Sequence, residues 1–310
     1  PFGVSFQGDH VVRVGLQAHP LGKGLSRPPL SVGLAFDAVV DDDTARWQDG
    51  DRAYQVVAAV QGQVDWLSLG LYAAFRTQDH HEGGTTEVSV IDLTGRLRLA
   101  HEDGLEAFLE AEVATIRGRT SLTQSAIDRG AFDVAQLGAL ARFGIEAGRF
   151  LGVLEVGAAS ADDNPFDDDQ NGFAMDRDLR VGLVLFRELL LANAAVTAAN
   201  VADPDYRGVP PRGHERLATS GAVRGATYVN PRVSFRLSDD LHLYGGFLYA
   251  AADGAYVDAF WSGMAGGAPR GPRNGAPATE LGAEVDLGVS WRLPSPPTHA
   301  WRLKLETAWC

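Results

Sequence analysis

The feature that most constrains this chain is a strict alternation of apolar and polar residues over segments of roughly ten residues. Residues 279–293, TELGAEVDLGVSWRL, show it: every second residue from Leu281 to Leu293 is apolar, and glycine, serine or charged residues lie between them. Side chains on a β-strand point to opposite faces with a period of two. Each such segment is therefore predicted to be a strand with one apolar and one polar face. A wall with lipid on one side and water on the other favours this pattern.

Short turns and long polar connections alternate between these segments, as in the barrels of bacterial outer membranes. Segment 179–200 is the least constrained, because it fits either a hairpin turning at Arg187–Glu188 or one strand followed by an amphipathic helix. The rhythm of its neighbours favours the hairpin and gives about fourteen strands. They are 10–18, 30–40, 53–61, 64–76, 88–100, 105–116, 132–147, 150–159, 179–186, 189–200, 224–237, 241–252, 279–293 and 299–309.

The predicted fold is therefore all-β: an antiparallel, up-and-down transmembrane β-barrel in which residues 1–310 form one domain. If the long connections are external, the first strand runs towards the periplasm and the last runs outward. Both ends of a barrel should be periplasmic, so we expect one strand to be missing at each end, from a barrel of about 16 strands or more. A soluble sheet with one wet face gives the same alternation, but the chain shows no set of helices to cover the apolar faces.

The amino-acid composition restricts the classes of molecule that this chain can bind. A net charge of −13 argues against nucleic acid, which requires a basic surface. The single cysteine, Cys310, can form no internal disulfide, and no apolar stretch is long enough for a spanning helix. Membrane lipid and small polar solutes are the expected partners, in the bacterial outer membrane. The sequence leaves the oligomeric state open.

Charges of both signs occupy the predicted polar faces, where they would line the interior and set selectivity. On the strand at 224–237, for example, Arg232 and Arg236 should point inward towards acidic residues, and Val233 and Phe235 towards lipid. The alternative is that opposed charges neutralise one another across neighbouring strands. The candidate lumen residues are Arg96, Arg98, Glu110, Glu112, Arg142, Arg232, Arg236, Glu284, Asp286, Arg292 and Arg302.

An acidic stretch within the connection 160–178 has the spacing of a calcium-binding loop. Its oxygen-bearing residues occupy positions 1, 3, 5 and 12, and a glycine occupies position 6, where such a loop turns sharply. The candidate ligands are Asp167, Asp169, Asn171 and Asp178. Position 12 is Asp rather than Glu and no helix precedes the loop, so a solvated acidic loop is the alternative.

Catalysis is not expected. Ser234, His242 and either Asp286 or Glu284 lie on neighbouring strands, but no nucleophile motif surrounds Ser234. Ser234 also falls on the face that lipid substrates do not reach. We therefore predict that the protein is not an enzyme.

Three stretches resemble a known group of proteins: 173–189 (FAMDRDLRVGLVLFREL), 230–250 (NPRVSFRLSDDLHLYGGFLYA) and 279–293. They are similar to porin-like outer-membrane barrels of the alginate-export type, and most similar to uncharacterised relatives in myxobacteria and other deltaproteobacteria. The resemblance covers roughly the C-terminal half and implies a conduit for an acidic polysaccharide. Acidic residues such as Glu110 and Glu112 would dilute such a path.

Taken with the charged faces, these features predict a channel for small polar or anionic solutes. Two alternatives remain open, a structural or adhesive outer-membrane barrel and an exporter of an acidic polysaccharide.

Overall fold

The computed structural model describes residues 10–22, 28–42, 44–81, 83–100, 104–121, 130–164, 167–176, 178–203, 205, 222–293 and 301–310. These residues form one thirteen-stranded sheet. Its strands are β1 (His10–Leu21), β2 (Leu30–Asp41), β3 (Arg52–Gln63), β4 (Leu67–Asp79), β5 (Thr85–Ala100), β6 (Leu105–Thr120), β7 (Phe132–Ala147), β8 (Phe150–Ala159), β9 (Asp169–Gln170), β10 (Ala226–Arg236), β11 (Leu241–Tyr256), β12 (Ala278–Leu293) and β13 (Trp301–Trp309).

All strands except β9 pair with their neighbours in an antiparallel meander, and β9 pairs in parallel with β7. This confirms the predicted all-β, up-and-down architecture. The strand order begins at β1 and ends at β13 without a pairing between them among the described residues, so the sheet is open. Helices are few in the described ranges: α1 (Leu191–Ala202), α2 (Ala259–Met264), a π-helical turn at Leu185–Leu190 and single 3-10 turns at Trp47–Asp49 and Pro272–Asn274. None of the described helices combines the length and apolar character needed to cross a membrane.

The predicted hairpin at 179–200 is wrong. Residues 185–202 are helical instead, and β8 pairs directly with β10. Leucine and alanine dominate this stretch, and both have high helix propensity. Leu185 and Phe186 are buried, because the helical segment packs on the sheet rather than joining it.

The two faces of the sheet differ as the alternation predicts. In β10, Val233 and Phe235 are 52% and 44% exposed on one face, whereas Tyr228 and Asn230 are buried on the other. The first is called the outer face, because large apolar side chains stand exposed on it along the whole meander. Its exposed members include Val14, Leu34, Phe36, Val56, Leu71, Phe75, Ile91, Leu93, Leu109, Phe143, Leu154, Val233, Phe235, Phe247, Leu287 and Leu305.

The opposite, inner face carries the polar side chains and supports a folded segment, residues 173–176 and 178–203, called here the inner segment. Leu185 and Phe186 of this segment pack against Tyr228 and Leu248 of the sheet, and the rings of Phe186 and Tyr228 meet edge to face at 6.0 Å. Gly157 leaves room for the Tyr228 ring, since a Cβ at position 157 would lie 2.3 Å from it. The main apolar core therefore lies between the inner segment and β7, β8, β10 and β11.

Candidate functional site

A row of alternating charges crosses four neighbouring strands of the inner face. Cα pairing places Arg96 opposite Glu110, Glu110 opposite Arg142, and Arg142 opposite Glu155. The nitrogen–oxygen distance is 3.1 Å between Arg96 and Glu110 and 2.5 Å between Arg142 and Glu155. Directly opposed side chains on antiparallel strands are close enough to interact. These four residues, called the charge ladder, therefore neutralise one another along the sheet, as the alternative in the sequence analysis anticipates.

The ladder ends on a buried carboxylate with three donors. Glu155 is fully buried in β8. It accepts hydrogen bonds from Arg142 Nε at 2.5 Å, from Arg232 Nη2 at 2.8 Å and from the hydroxyl of Tyr228 at 3.0 Å. A buried charge requires this degree of pairing, because an unpaired one is costly to desolvate. Arg232 thus points inward to an acidic residue, as its alternation with Val233 predicts.

A second buried carboxylate, Glu284 of β12, holds the inner segment. Its Oε1 accepts the backbone N–H groups of Leu183 and Val184, and its Oε2 accepts that of Leu185. These amides lie at the start of the helical segment, where backbone donors have no intrahelical partner. A negative side chain at this position also complements the helix dipole. Glu284, predicted to set selectivity, therefore serves as an anchor and does not face open solvent.

Three other predicted lumen residues are exposed arginines near the short-turn edge of the sheet. Arg98, Arg236 and Arg292 form no ion pair within the part of the chain that the structure describes. Arg236 shares a face with Arg232, so its inward direction agrees with the prediction, but none of the described acidic residues pairs with it. The backbone of Arg302 pairs opposite Arg292 in β13, and its side chain lies outside the described residues.

The remaining predicted acids, Glu112 and Asp286, are buried or partly buried on the inner face. Glu112 Oε2 and Asp286 Oδ1 are shielded from solvent and have no hydrogen-bond partner among the described residues, and the same holds for Oδ1 of Asp92. The two polar side-chain atoms of Asn230, Oδ1 and Nδ2, are likewise shielded from solvent and have no hydrogen-bond partner among the described residues. Asn230 and Tyr228 were not predicted as site residues, although both lie at polar positions of the alternation in β10. That alternation was the signal available for them.

A smaller ionic cluster joins β1 to β4. Arg13 binds the buried Asp37 with nitrogen–oxygen distances of 2.6 and 2.8 Å, and Gln55 donates to the same carboxylate at 2.8 Å. Beyond the end of β2, Arg76 pairs with Asp42. Burial opposes ionisation of Asp42, but the Arg76 guanidinium and the backbone N–H groups of the following turn hold its pKa below the usual value. The inner face therefore carries ion pairs on β1 to β4 as well as on β5 to β10.

Within the acidic stretch 167–178, residues 169–170 form the short strand β9. Asp169 lies in β9 beside Asp133 of β7, and Ala174 forms a bridge with Arg224. Within the described ranges, no three or more His, Cys, Asp or Glu side chains are grouped to hold a metal ion. The predicted ligands Asp167, Asp169, Asn171 and Asp178 thus gain no support from their arrangement, and calcium binding there stays a prediction.

Comparison with known proteins gives no match from which a function could be inferred, so the function is argued from the geometry of the inner face. No protein-family model matches the chain, and no curated protein matches it. The resemblance to alginate-export barrels therefore stays a prediction.

Proposed function

We propose that this chain forms the wall of an outer-membrane β-barrel channel that passes small polar or charged solutes. The observation that carries the proposal is the exposed apolar outer face, with the inner segment packed on the opposite face. Exposed apolar area costs about 25 cal/mol per Å² in water. Contact with lipid removes this cost, and the alternation of the strands suits a wall between lipid and water.

The charges of the inner face are consistent with the passage of small polar or charged solutes. These charges comprise the neutralised charge ladder and, at the short-turn edge, the exposed arginines Arg98, Arg236 and Arg292 together with the exposed carboxylates Glu106 and Glu146. Exposed charges of both signs at one edge of a lumen allow small charged solutes of either sign to approach it. The inner segment, seated over β7 to β11, narrows the passage on that side and leaves the face of β1 to β6 to line the open path.

Single-channel recording in planar bilayers tests the proposal. The complete protein, once reconstituted, should give discrete conductance steps. Glu284→Gln, which weakens the anchor of the inner segment, should raise the conductance or make it fluctuate between levels. Glu146→Gln changes an exposed carboxylate of the same inner face and should leave the step size nearly unchanged. A folded, inserted protein that gives no steps would overturn the channel function.

A structural barrel is the second candidate, and one observation favours it. Beneath the inner segment, the buried Glu155 binds Arg142 and Arg232, so these three charges are neutralised without water. In that case vesicles carrying the protein should retain small solutes of either charge, and Glu284→Gln should not make them leak.

A further inference from the structure

Glu284 and Asp286 form a pair of carboxyl groups on the inner face of β12, called here the carboxyl dyad. They are two positions apart, so both side chains point to the same face of the strand, and a hydrogen bond joins them. An ionised carboxylate can only accept hydrogen bonds, whereas a protonated carboxyl group also has an O–H to donate. A hydrogen bond within the dyad therefore requires that one of the two groups carries a proton.

The surroundings of the two groups show which one carries the proton. Glu284 accepts three backbone N–H groups of the inner segment, two of them at 3.0 and 2.7 Å, and such donors stabilise the charged form of a carboxyl group. Oδ1 of Asp286 is shielded from solvent and accepts a hydrogen bond from no described residue. A negative charge on Asp286 would therefore be withdrawn from water beside an existing negative charge. The proton belongs on Asp286, whose O–H then donates to Glu284.

The neighbouring charges do not compensate a second negative charge in the dyad. Arg232 attracts an ionised Asp286, but its guanidinium already binds Glu155 at 2.8 Å. Glu306 repels an ionised Asp286. The ionisable groups at or next to the dyad are Arg232 on β10, Tyr244 on β11, Lys304 and Glu306 on β13, Cys310 after β13 and Arg180 on the inner segment.

We propose that the carboxyl dyad is a proton-binding site that holds the inner segment on the sheet, with Asp286 as the residue that positions Glu284. The proton on Asp286 orients the Glu284 carboxylate towards the backbone donors and keeps a second negative charge away from it. When the segment leaves the sheet, water reaches both carboxyl groups and each ionises separately. The docked segment thus binds one proton more than the released segment, so rising pH favours release.

The proton-binding site itself does not depend on conduction. Its consequence for the passage rests on the proposed channel function, because release of the inner segment widens a lumen only where the sheet encloses one. Exchange and spectroscopic measurements in detergent therefore test the dyad separately from bilayer recording.

Hydrogen exchange on the complete protein in detergent micelles, corrected for intrinsic exchange rates, tests the dyad. Between about pH 5 and pH 9, exchange at residues 183–190 of wild type should accelerate by up to about tenfold per pH unit, the limit that one bound proton sets. Asp286→Asn keeps a donor to Glu284 that cannot ionise, so exchange there should stay within about twofold across the same range. Asp162→Asn, which removes an ionisable group from the loop after β8, is the control and should keep the wild-type slope.

Infrared difference spectra give a second measurement, which a purely structural role of Asp286 would not change. Wild type minus Asp286→Asn, at the acidic end of this pH range, should show the carbonyl stretch of one protonated carboxyl group. The band should disappear at the alkaline end, in step with the loss of protection at residues 183–190.

Three results would overturn the proton-binding site. A flat exchange profile in wild type does so without any variant. Absence of the infrared band shows that Asp286 is ionised and held by Arg232. A pH dependence that persists in Asp286→Asn and disappears in Glu112→Gln places the proton on another group of the inner face. Exchange that follows the prediction in a protein that gives no conductance steps supports the dyad and overturns only the channel function.

Discussion

The carboxylate of Glu284 in β12 accepts the backbone N–H of Leu185 at 2.7 Å, although 99 positions separate the two residues in the chain. The same side chain accepts the N–H groups of Leu183 and Val184. One residue of the sheet thereby satisfies the amides at the start of the helical segment. The position of the inner segment on the sheet therefore depends strongly on one buried charge.

Replacing Glu284 by Gln should loosen the inner segment. Glutamine has one acceptor oxygen, so at least one of the three backbone donors loses its partner, and hydrogen bonds to charged groups contribute about 1.5–3 kcal/mol each. Hydrogen exchange at residues 183–190 should accelerate and equilibrium unfolding should shift by a similar energy. Glu146→Gln, an exposed carboxylate on the same face, is the control. Unchanged exchange in Glu284→Gln would show that apolar packing alone holds the segment.

Removing Glu155 should be more damaging than removing either arginine that it binds. Glu155→Gln leaves Arg142 and Arg232 without their shared anion, and breaking a buried ion pair from one side costs about 3–5 kcal/mol. Arg142→Met should cost less, because Arg232 and Tyr228 still bind the carboxylate. Arg96→Met, at the exposed end of the ladder, should cost under about 1 kcal/mol. Denaturant unfolding of the three variants in detergent measures this order, and an equal cost for all three would contradict it.

The paired charges show which contacts the sequence can predict. A two-residue turn at Gly148 and Arg149 joins β7 to β8, and Ala147 pairs with Phe150. A short turn fixes the register of a hairpin. The Arg142–Glu155 pair follows from counting back along both strands. The Arg232–Glu155 pair does not, because the whole connection between β8 and β10 separates its strands and the expected hairpin would have placed two strands between them.

The helix was missed for a reason that is visible in the residues. From Leu191 to Ala202 the chain reads LANAAVTAANVA, in which apolar residues do not fall at every second position. The lengths of neighbouring hairpins outweighed this local signal and the helix propensity of leucine and alanine. The anchoring by Glu284 could not be predicted at all, because its partners are backbone amides, which no sequence pattern distinguishes.

The two faces of β10 should respond in opposite ways to charge. Val233→Arg places a guanidinium on the exposed outer face, where lipid contact near the bilayer midplane should cost about 2–4 kcal/mol. Ser234→Arg places the same group on the inner face, where it stays hydrated, so we expect little change. Unfolding from lipid vesicles in guanidinium chloride measures both. Equal costs, or a larger cost for Ser234→Arg, would contradict the lipid-facing assignment of Val233.

The loop after β8 should lose stability as the pH rises. Burial, followed by the nearby Asp167 carboxylate, raises the pKa of Asp162 to about 7, whereas an unfolded aspartate titrates near 3.9. Between about pH 4 and pH 7 the folded loop therefore binds more protons than the unfolded chain, so its stability falls with rising pH across this window and is constant above it.

Asp162→Asn should remove most of this pH dependence and slow hydrogen exchange in the loop at pH 8. The same substitution also removes the attraction between Asp162 and Arg224. Hydrogen exchange at residues 160–164 and 167–176 between pH 4 and pH 8, corrected for intrinsic exchange rates, measures the effect. Asp163→Asn is the matched control, and the same pH dependence in wild type and Asp162→Asn would show that another group is responsible.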